Sequence, residues 1–155
     1  MKREEFISMH ITYQNLITVE DYNALRSAVG WAAYDIERAR FALERSDFIA
    51  VAQIGGQAIG MARVIHDGVQ AMIMDVIVAP EHQRQGIGRA LMARVMDYLG
   101  ELARGGEIKA HLMAVSGKEE FYEKFGFFKR PQGRYGCGMT KIFAVNSLRS
   151  FSANK

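Results

Sequence analysis

Hydrophobic residues recur along this chain at two different periods, and the alternation between them outlines a mixed fold. Ser8–Ile17, with His10-Ile11-Thr12-Tyr13 inside it, reads as a first strand. Thr18 then precedes Asp21 by three residues, the N-cap and capping-box positions of a helix running to about Val29. A second helix is predicted over Asp35–Glu44, with Ile36, Ala39 and Leu43 on one face. Phe48–Ala52 is a strand, Gly55-Gly56 a hairpin turn, Ala58–Ile65 the partner strand, and Asp67-Gly68 a second turn. Ala71–Val78 is almost continuously apolar, as in a central strand covered on both faces.

The next helix has the clearest pattern. Ile87, Leu91, Val95, Leu99 and Leu102 share one side, while Arg89, Arg94, Asp97 and Glu101 take the wet one. Ile108–Val115 reads as a further strand. Ser116-x-x-Glu119 reads as a capping box opening a short helix that Gly126 stops. Phe127–Lys129 and Met139–Ala144 are expected to close the sheet. The order β-α-α-β-β-β-α-β-α-β-β predicts an α/β (α+β) fold with a mixed sheet. No linker or repeat interrupts residues 1–146, which read as one domain, with a tail at 147–155.

Between the apolar strand and the clearest helix lies Pro80-Glu81-His82-Gln83-Arg84-Gln85-Gly86-Ile87-Gly88-Arg89. A strand entering a glycine-bearing loop and then a helix gathers unpaired N–H groups at the positive end of a helix, which suits a diphosphate. Gly86 and Gly88 let phosphate oxygens approach the backbone, and Arg84 and Arg89 add charge. Two other phosphate loops fit less well. A dinucleotide loop needs a small residue where Leu91 stands. A Walker loop needs glycine at Leu112, five residues before the Gly117 of Gly117-Lys118.

Composition narrows the picture. With 155 residues, 49% hydrophobic and 24% charged, the chain can bury a core of its own. Its one cysteine, Cys137, forms no intrachain disulfide, which suits a reducing cytoplasm or simply a protein that needs no bridge. No apolar run approaches the roughly 20 residues of a membrane helix, and Met1-Lys2-Arg3-Glu4-Glu5 argues against export. The net charge of +3 is scattered, so a polyanionic cofactor accounts for it better than nucleic acid does. The histidines lack metal-ligand spacing, and no metal is expected.

The spacing Gln83-x-x-Gly86-x-Gly88, together with the element order over nearly the whole chain, resembles the GNAT (Gcn5-related) N-acetyltransferases. The resemblance implies that Gln83, Arg84, Gln85, Gly86, Ile87, Gly88 and Arg89 hold the pyrophosphate of acetyl-CoA, mainly through main chain. It implies that Val76, Ile77 and Val78 pair with pantetheine, one of their N–H groups polarising the thioester carbonyl. The segment Tyr122-Glu123-Lys124-Phe125-Gly126-Phe127 resembles the family's Tyr-x-x-x-Gly-Phe, in which the tyrosine protonates the leaving thiolate. Phe121 would border the cofactor, although its spacing from Phe125 also fits a core pair. Many members carry an asparagine after the fifth strand. Here Ser116 stands there, either bonding the cofactor or capping a helix.

The acceptor amine must lose a proton. Asp75, acting through a water, His66 and His111 are candidate bases, and none is needed if the amine arrives neutral. Gly30-Trp31 falls where the resembling fold rims its acceptor pocket. Trp31 either walls that pocket or plugs the space between two helices. Direct transfer requires no covalent role for Cys137. The leading expectation is acetyl transfer to a small-molecule amine in a ternary complex. A protein lysine or N-terminus as acceptor, and a non-catalytic CoA-binding module, are the alternatives. Members of this fold often pair, so a homodimer is a further expectation.

Overall fold

The computed structural model describes residues 10–143. They fall into two units, the first running to Met113 and the second starting at Ala114.

The first unit is built on one five-stranded sheet of order β1-β2-β3-β4-β5. The strands are β1 (Ile11–Gln14), β2 (Phe48–Ile54), β3 (Gln57–His66), β4 (Gln70–Val78) and β5 (Lys109–Leu112). The first four are antiparallel, and β5 runs parallel to β4. That parallel pairing requires a crossover, which α3 (Ile87–Leu102) supplies. Two helices, α1 (Val19–Ala28) and α2 (Ile36–Glu44), connect β1 to β2.

Local chemistry sets the helix boundaries. The Thr18 hydroxyl accepts from the Asp21 N–H at 3.0 Å, and the Asp35 carboxylate from the Arg38 N–H at 2.9 Å. Each satisfies a donor that the helix start leaves unpaired. The face expected for α2 is only partly inward. Ala39 is fully buried and Leu43 packs on the core, but Ile36 is exposed.

Gly60 and Met61 point to opposite faces of β3 by strand alternation. Met61 joins Tyr22, Leu25, Ala39, Val51 and Ile77 in a core under α1. A Cβ on Gly60 would sit 3.2 and 3.3 Å from side-chain carbons of Leu91 and Ile87, so α3 covers the other face. The missing side chain is what lets α3 approach so closely. The apolar stripe of α3 follows the expected spacing, with Ile87, Leu91, Val95 and Leu99 buried.

The second unit contains α4 (Glu119–Glu123). Its capping differs from expectation. Lys118 is the N-cap and makes no side-chain cap. Ser116 lies in the preceding turn, which the Lys118 N–H closes on the Val115 carbonyl at 2.9 Å, with Gly117 left-handed at φ 85°. A turn that recruits Gly117 leaves Ser116 two residues short of the helix. Gly126, left-handed at φ 87°, ends the helix as expected.

The two closing strands do not form among the described residues. Phe127–Lys129 is irregular chain without a ladder, and among the described residues only the isolated bridge Gln132–Tyr135 follows it. Pro131 lacks a donor and restricts the residue before it, which interrupts pairing there. Residues 139–143 are irregular, and Met139, Ile142 and Phe143 are exposed, so their apolar spacing buries nothing that would fix a strand. Ala144 and the expected tail at 147–155 lie outside the described residues.

Candidate active site

The β4–β5 pairing stops at Ile73 opposite Leu112. Beyond that point β4 runs on to Val78, paired with β3 alone among the described residues. The Ala79 N–H donates to the Ile59 carbonyl at 2.9 Å, and Ile77 lies opposite Met61. Alternation therefore turns the main-chain groups of Ile77 toward β3 and those of Val76 and Val78 toward the other edge. This corrects the expectation for Ile77. It pairs within the sheet and packs its side chain in the core, leaving Val76 and Val78 to offer backbone outward.

A bulge makes this possible. Met61 faces Ile77 while Arg63 faces Met74, so β4 carries one extra residue opposite Ala62. Asp75 lies in it with left-handed φ 49°, a conformation that aspartate tolerates better than most residues.

After Val78 the chain passes through a short 3-10 turn, Pro80–His82, into the glycine loop. The Gln83 carboxamide donates to the Val78 carbonyl at 3.0 Å, and that of Gln85 to the Glu81 carbonyl at 3.3 Å. Arg84 and Gly86 are left-handed, at φ 61° and 82°. Gly86 is the N-cap of α3 and brings no side-chain oxygen to it. The first donor bonded inside the helix is Ala90 N–H, to the Gly86 carbonyl at 3.0 Å. The N–H groups of Ile87, Gly88 and Arg89 are thus without a helical partner. A left-handed residue entering a right-handed helix turns such donors into one concavity suited to an anion. Arg84 and Arg89 are exposed beside it, and no hydrogen bond or ion pair engages either side chain among the described residues. These residues fit a diphosphate: orphan donors, no side-chain cap, and unspent positive charge.

Asp75 is held differently from what a base requires. Its carboxylate accepts from the Tyr22 hydroxyl at 2.7 Å, Arg26 Nη1 at 3.0 Å and Arg63 Nε at 2.5 Å, with its side chain only 9% exposed. Three donors from two elements already occupy its oxygens, the arrangement of a structural anchor. Burial first, and then the hydrogen bond to Asp75, push the Tyr22 phenol up to about 12.

The histidines lie at the other end of the sheet. His66 is opposite Ala71, and His111 is in register with Met72. Each is roughly 15 Å of strand from Val76. His66 Nδ1 accepts from the Gly68 N–H at 3.0 Å, and its Nε2 lies 2.9 Å from the Tyr98 hydroxyl. His111 Nε2 is 2.6 Å from Gln70 Oε1. Both have structural partners and lie at the opposite end of β4 from Val76.

Trp31 packs partly buried against the α1 core, and its N–H donates to the Arg26 carbonyl at 2.9 Å. The Arg26 guanidinium stands 5.4 Å from its ring centroid and 4.0 Å from that of Tyr34. The ring thus already meets one cation, as a plug beside α1 would.

Within the second unit, Tyr122 is half-buried on α4. Its ring meets Phe121 edge-on at 5.0 Å, and Phe121 meets Phe125 at 5.5 Å. Burial pushes the Tyr122 phenol up, so it stays protonated at neutral pH. Phe121 is one member of this aromatic group. Ser116 is exposed, and Cys137 is an exposed free thiol. Among the described residues no three His, Cys, Asp or Glu side chains gather as a metal site would require, and no helix is long and apolar enough to cross a membrane.

Nothing in the local sequence pattern alone singles out Tyr22, Arg26 and Arg63. The signal was present in part. Arg63 and Asp75 are the charged interruptions of two apolar strands joined by one turn, and Tyr22 and Arg26 are four apart on α1.

The acetyltransferase (GNAT) domain model matches residues 45–129. A histone acetyltransferase of Glycine max is 33% identical over 132 residues, covering 77% of this chain and 56% of that protein. A chloroplastic serotonin N-acetyltransferase of Oryza sativa subsp. japonica is 32% identical over 119 residues, covering 74% and 58%. A crystal structure of a probable acetyltransferase from methicillin-resistant Staphylococcus aureus superposes with a TM-score of 0.74 at 28% identity, over 86% of this chain and 100% of that one. With a mixed sheet, a glycine loop opening α3 and a family match across both, the chain belongs to the GNAT family and is an acetyltransferase.

Proposed function

We propose that the protein transfers the acetyl group of acetyl-CoA to the primary amine of a small molecule by direct attack in a ternary complex. One observation carries this reading. The outward main chain of Val76 and Val78 leads straight into a loop whose Ile87, Gly88 and Arg89 N–H groups have no helical partner. That is a track for an extended amide-bearing arm ending in a diphosphate. Gln83, Arg84, Gln85 and Gly86 shape the phosphate end, with Gln83 fastening the loop to the track.

In the proposed reaction the amine nitrogen forms a bond to the thioester carbon and the carbon–sulfur bond breaks. The Val76 N–H stabilises the carbonyl oxygen. Such a preorganised donor supplies about 2.7–4 kcal/mol. Tyr122 gives its proton to the departing thiolate, and the proton lost by the amine passes to solvent. With Asp75 occupied by Tyr22, Arg26 and Arg63, the amine arrives neutral or loses its proton to water.

The exposed side of Trp31 and the ring of Tyr34 offer aromatic surface to a small amine. The relative named for serotonin, a small primary amine, points the same way. The relative named for a histone supports the second reading, a protein amine. A reducing cytoplasm suits the free thiol of Cys137.

The test is thiol release from acetyl-CoA against polyamines, aryl amines, aminosugars, amino acids and basic peptides. Release with a small amine supports the reading. Release with peptides alone moves the acceptor to protein. CoA binding with no release against any amine overturns transfer.

A further inference from the structure

Arg26 joins two parts of the first unit that the reaction needs to hold together. From α1 its Nε donates to the Ala32 carbonyl at 2.9 Å and its Nη1 reaches the Asp75 carboxylate at 3.0 Å. Its own carbonyl accepts from the Trp31 main-chain N–H at 2.9 Å, and its guanidinium carbon lies 4.0 Å from the Tyr34 ring centroid. Asn23, three residues earlier, brackets the same loop. Its side chain donates to the Tyr34 carbonyl at 2.8 Å and accepts from the Tyr34 N–H at 3.0 Å. Residues 30–34 are therefore pinned to α1, and α1 is pinned to Asp75.

Asp75 immediately precedes Val76 and adopts φ 49° within the bulge. A left-handed non-glycine residue is strained even when it is an aspartate, so something must hold it. Three donors from two elements do so, Tyr22 and Arg26 from α1 and Arg63 from β3. Asp75, Arg26 and Arg63 are all largely buried, with side chains 9%, 10% and 11% exposed. One carboxylate between two guanidiniums leaves a positive balance just behind the Val76 main chain. In a poorly solvated place that balance favours negative charge developing on a nearby oxygen.

Resting on the transferase reading above, we propose that Arg26 is a positioning residue that acts through Asp75, with Arg63 and Tyr22 completing the clamp. It sets the bulge that directs the Val76 N–H out of the sheet, and it fixes loop 30–34 at a constant offset from that N–H. Glycine-loop binding of the diphosphate does not depend on it. Loss of the clamp thus lowers turnover and spares cofactor affinity.

The experiment compares wild type with Arg26→Lys and Arg26→Met, and with Asp75→Asn. Lysine keeps the charge but cannot span Asp75 and Ala32 with one planar fork. For variants that fold by circular dichroism, kcat falls at least tenfold for Arg26→Lys and further for Arg26→Met. Calorimetric CoA affinity stays within threefold of wild type. Asp75→Asn keeps the shape of the pH–rate profile, whereas removing a base would erase its ascending limb. Amide exchange of segment 74–78 rises at least fivefold in each variant. A folded Arg26→Lys protein with wild-type kcat and unchanged exchange sinks the clamp and leaves the transferase reading intact. Wild type that releases no thiol sinks the transferase reading, and the exchange measurement still decides the clamp. If Arg26→Met does not fold, Tyr22→Phe, which removes a single donor, must show the same exchange change in milder form, or the clamp fails.

Discussion

The Gln83 carboxamide nitrogen lies 3.0 Å from the Val78 carbonyl oxygen, which fastens the phosphate loop to the strand end it follows. Both groups are at the surface, so the bond adds little to global stability. Its work is to fix the loop before a ligand arrives. Gln83→Leu should weaken acetyl-CoA binding about fivefold, the equivalent of one ordinary hydrogen bond of about 1 kcal/mol. The thermal midpoint should barely move. Calorimetry and a melting curve on the same preparation check both halves.

Gly86 makes a separate demand on the loop. Its φ is 82°, and a Cβ built there meets nothing within 4 Å. The cost of Gly86→Ala is therefore in the backbone, about 1–2 kcal/mol. It should appear as a roughly five- to thirtyfold loss of CoA affinity. Gly86→Asn should lose less, because asparagine enters the left-handed region more readily. Equal losses for the two variants would point to something other than backbone conformation.

The reaction itself is tested at Tyr122. Tyr122→Phe should reduce turnover at least tenfold and leave acetyl-CoA affinity nearly unchanged, in line with a positioned acid worth about 10²–10⁴ in rate. Wild-type turnover in the phenylalanine variant removes the assigned role.

Stability should fall in strong base. The Tyr22 phenol is pushed up to about 12, first by burial and then by the Asp75 carboxylate that it donates to. The folded protein thus holds this proton where the unfolded chain, near 10, has released it. The contribution is complete below pH 10 and is lost between pH 10 and 12, on the order of 2–3 kcal/mol in all. Tyr98 and Tyr122 are also raised, mainly by burial, and add loss of the same sign. Urea unfolding from pH 8 to 11.5 should show a plateau followed by a decline, and Tyr22→Phe should flatten that decline.

What was legible in the sequence was whatever a few adjacent residues decide. Thr18 and Asp35 cap the helices they were expected to start. The stripe from Ile87 to Leu99 faces the core, and the glycine loop lies between β4 and α3 as its spacing implied. What escaped depends on partners far along the chain. One extra residue in β4 decides which of Val76, Ile77 and Val78 presents its backbone outward, and nothing near Asp75 in sequence marks that slip. The role of Asp75 is set by Tyr22 and Arg26, about fifty residues earlier, and by Arg63 across a hairpin. The apolar residues at 139–143 imitate a strand without a surface to bury against. Ser116 lost its capping role to a turn that a single glycine made cheaper.

The outward flank of β4 near Val76 and Val78 carries a further implication for handling the protein. The Gln83 carboxamide takes the Val78 carbonyl, but a strand whose remaining edge groups lack a neighbouring strand still invites an extended polypeptide to zip onto it. In the transferase reading, the pantetheine arm is the molecule that shields this side. Free enzyme should then be stickier than enzyme saturated with CoA, and supplying CoA during concentration should suppress self-association as well as raise the melting temperature.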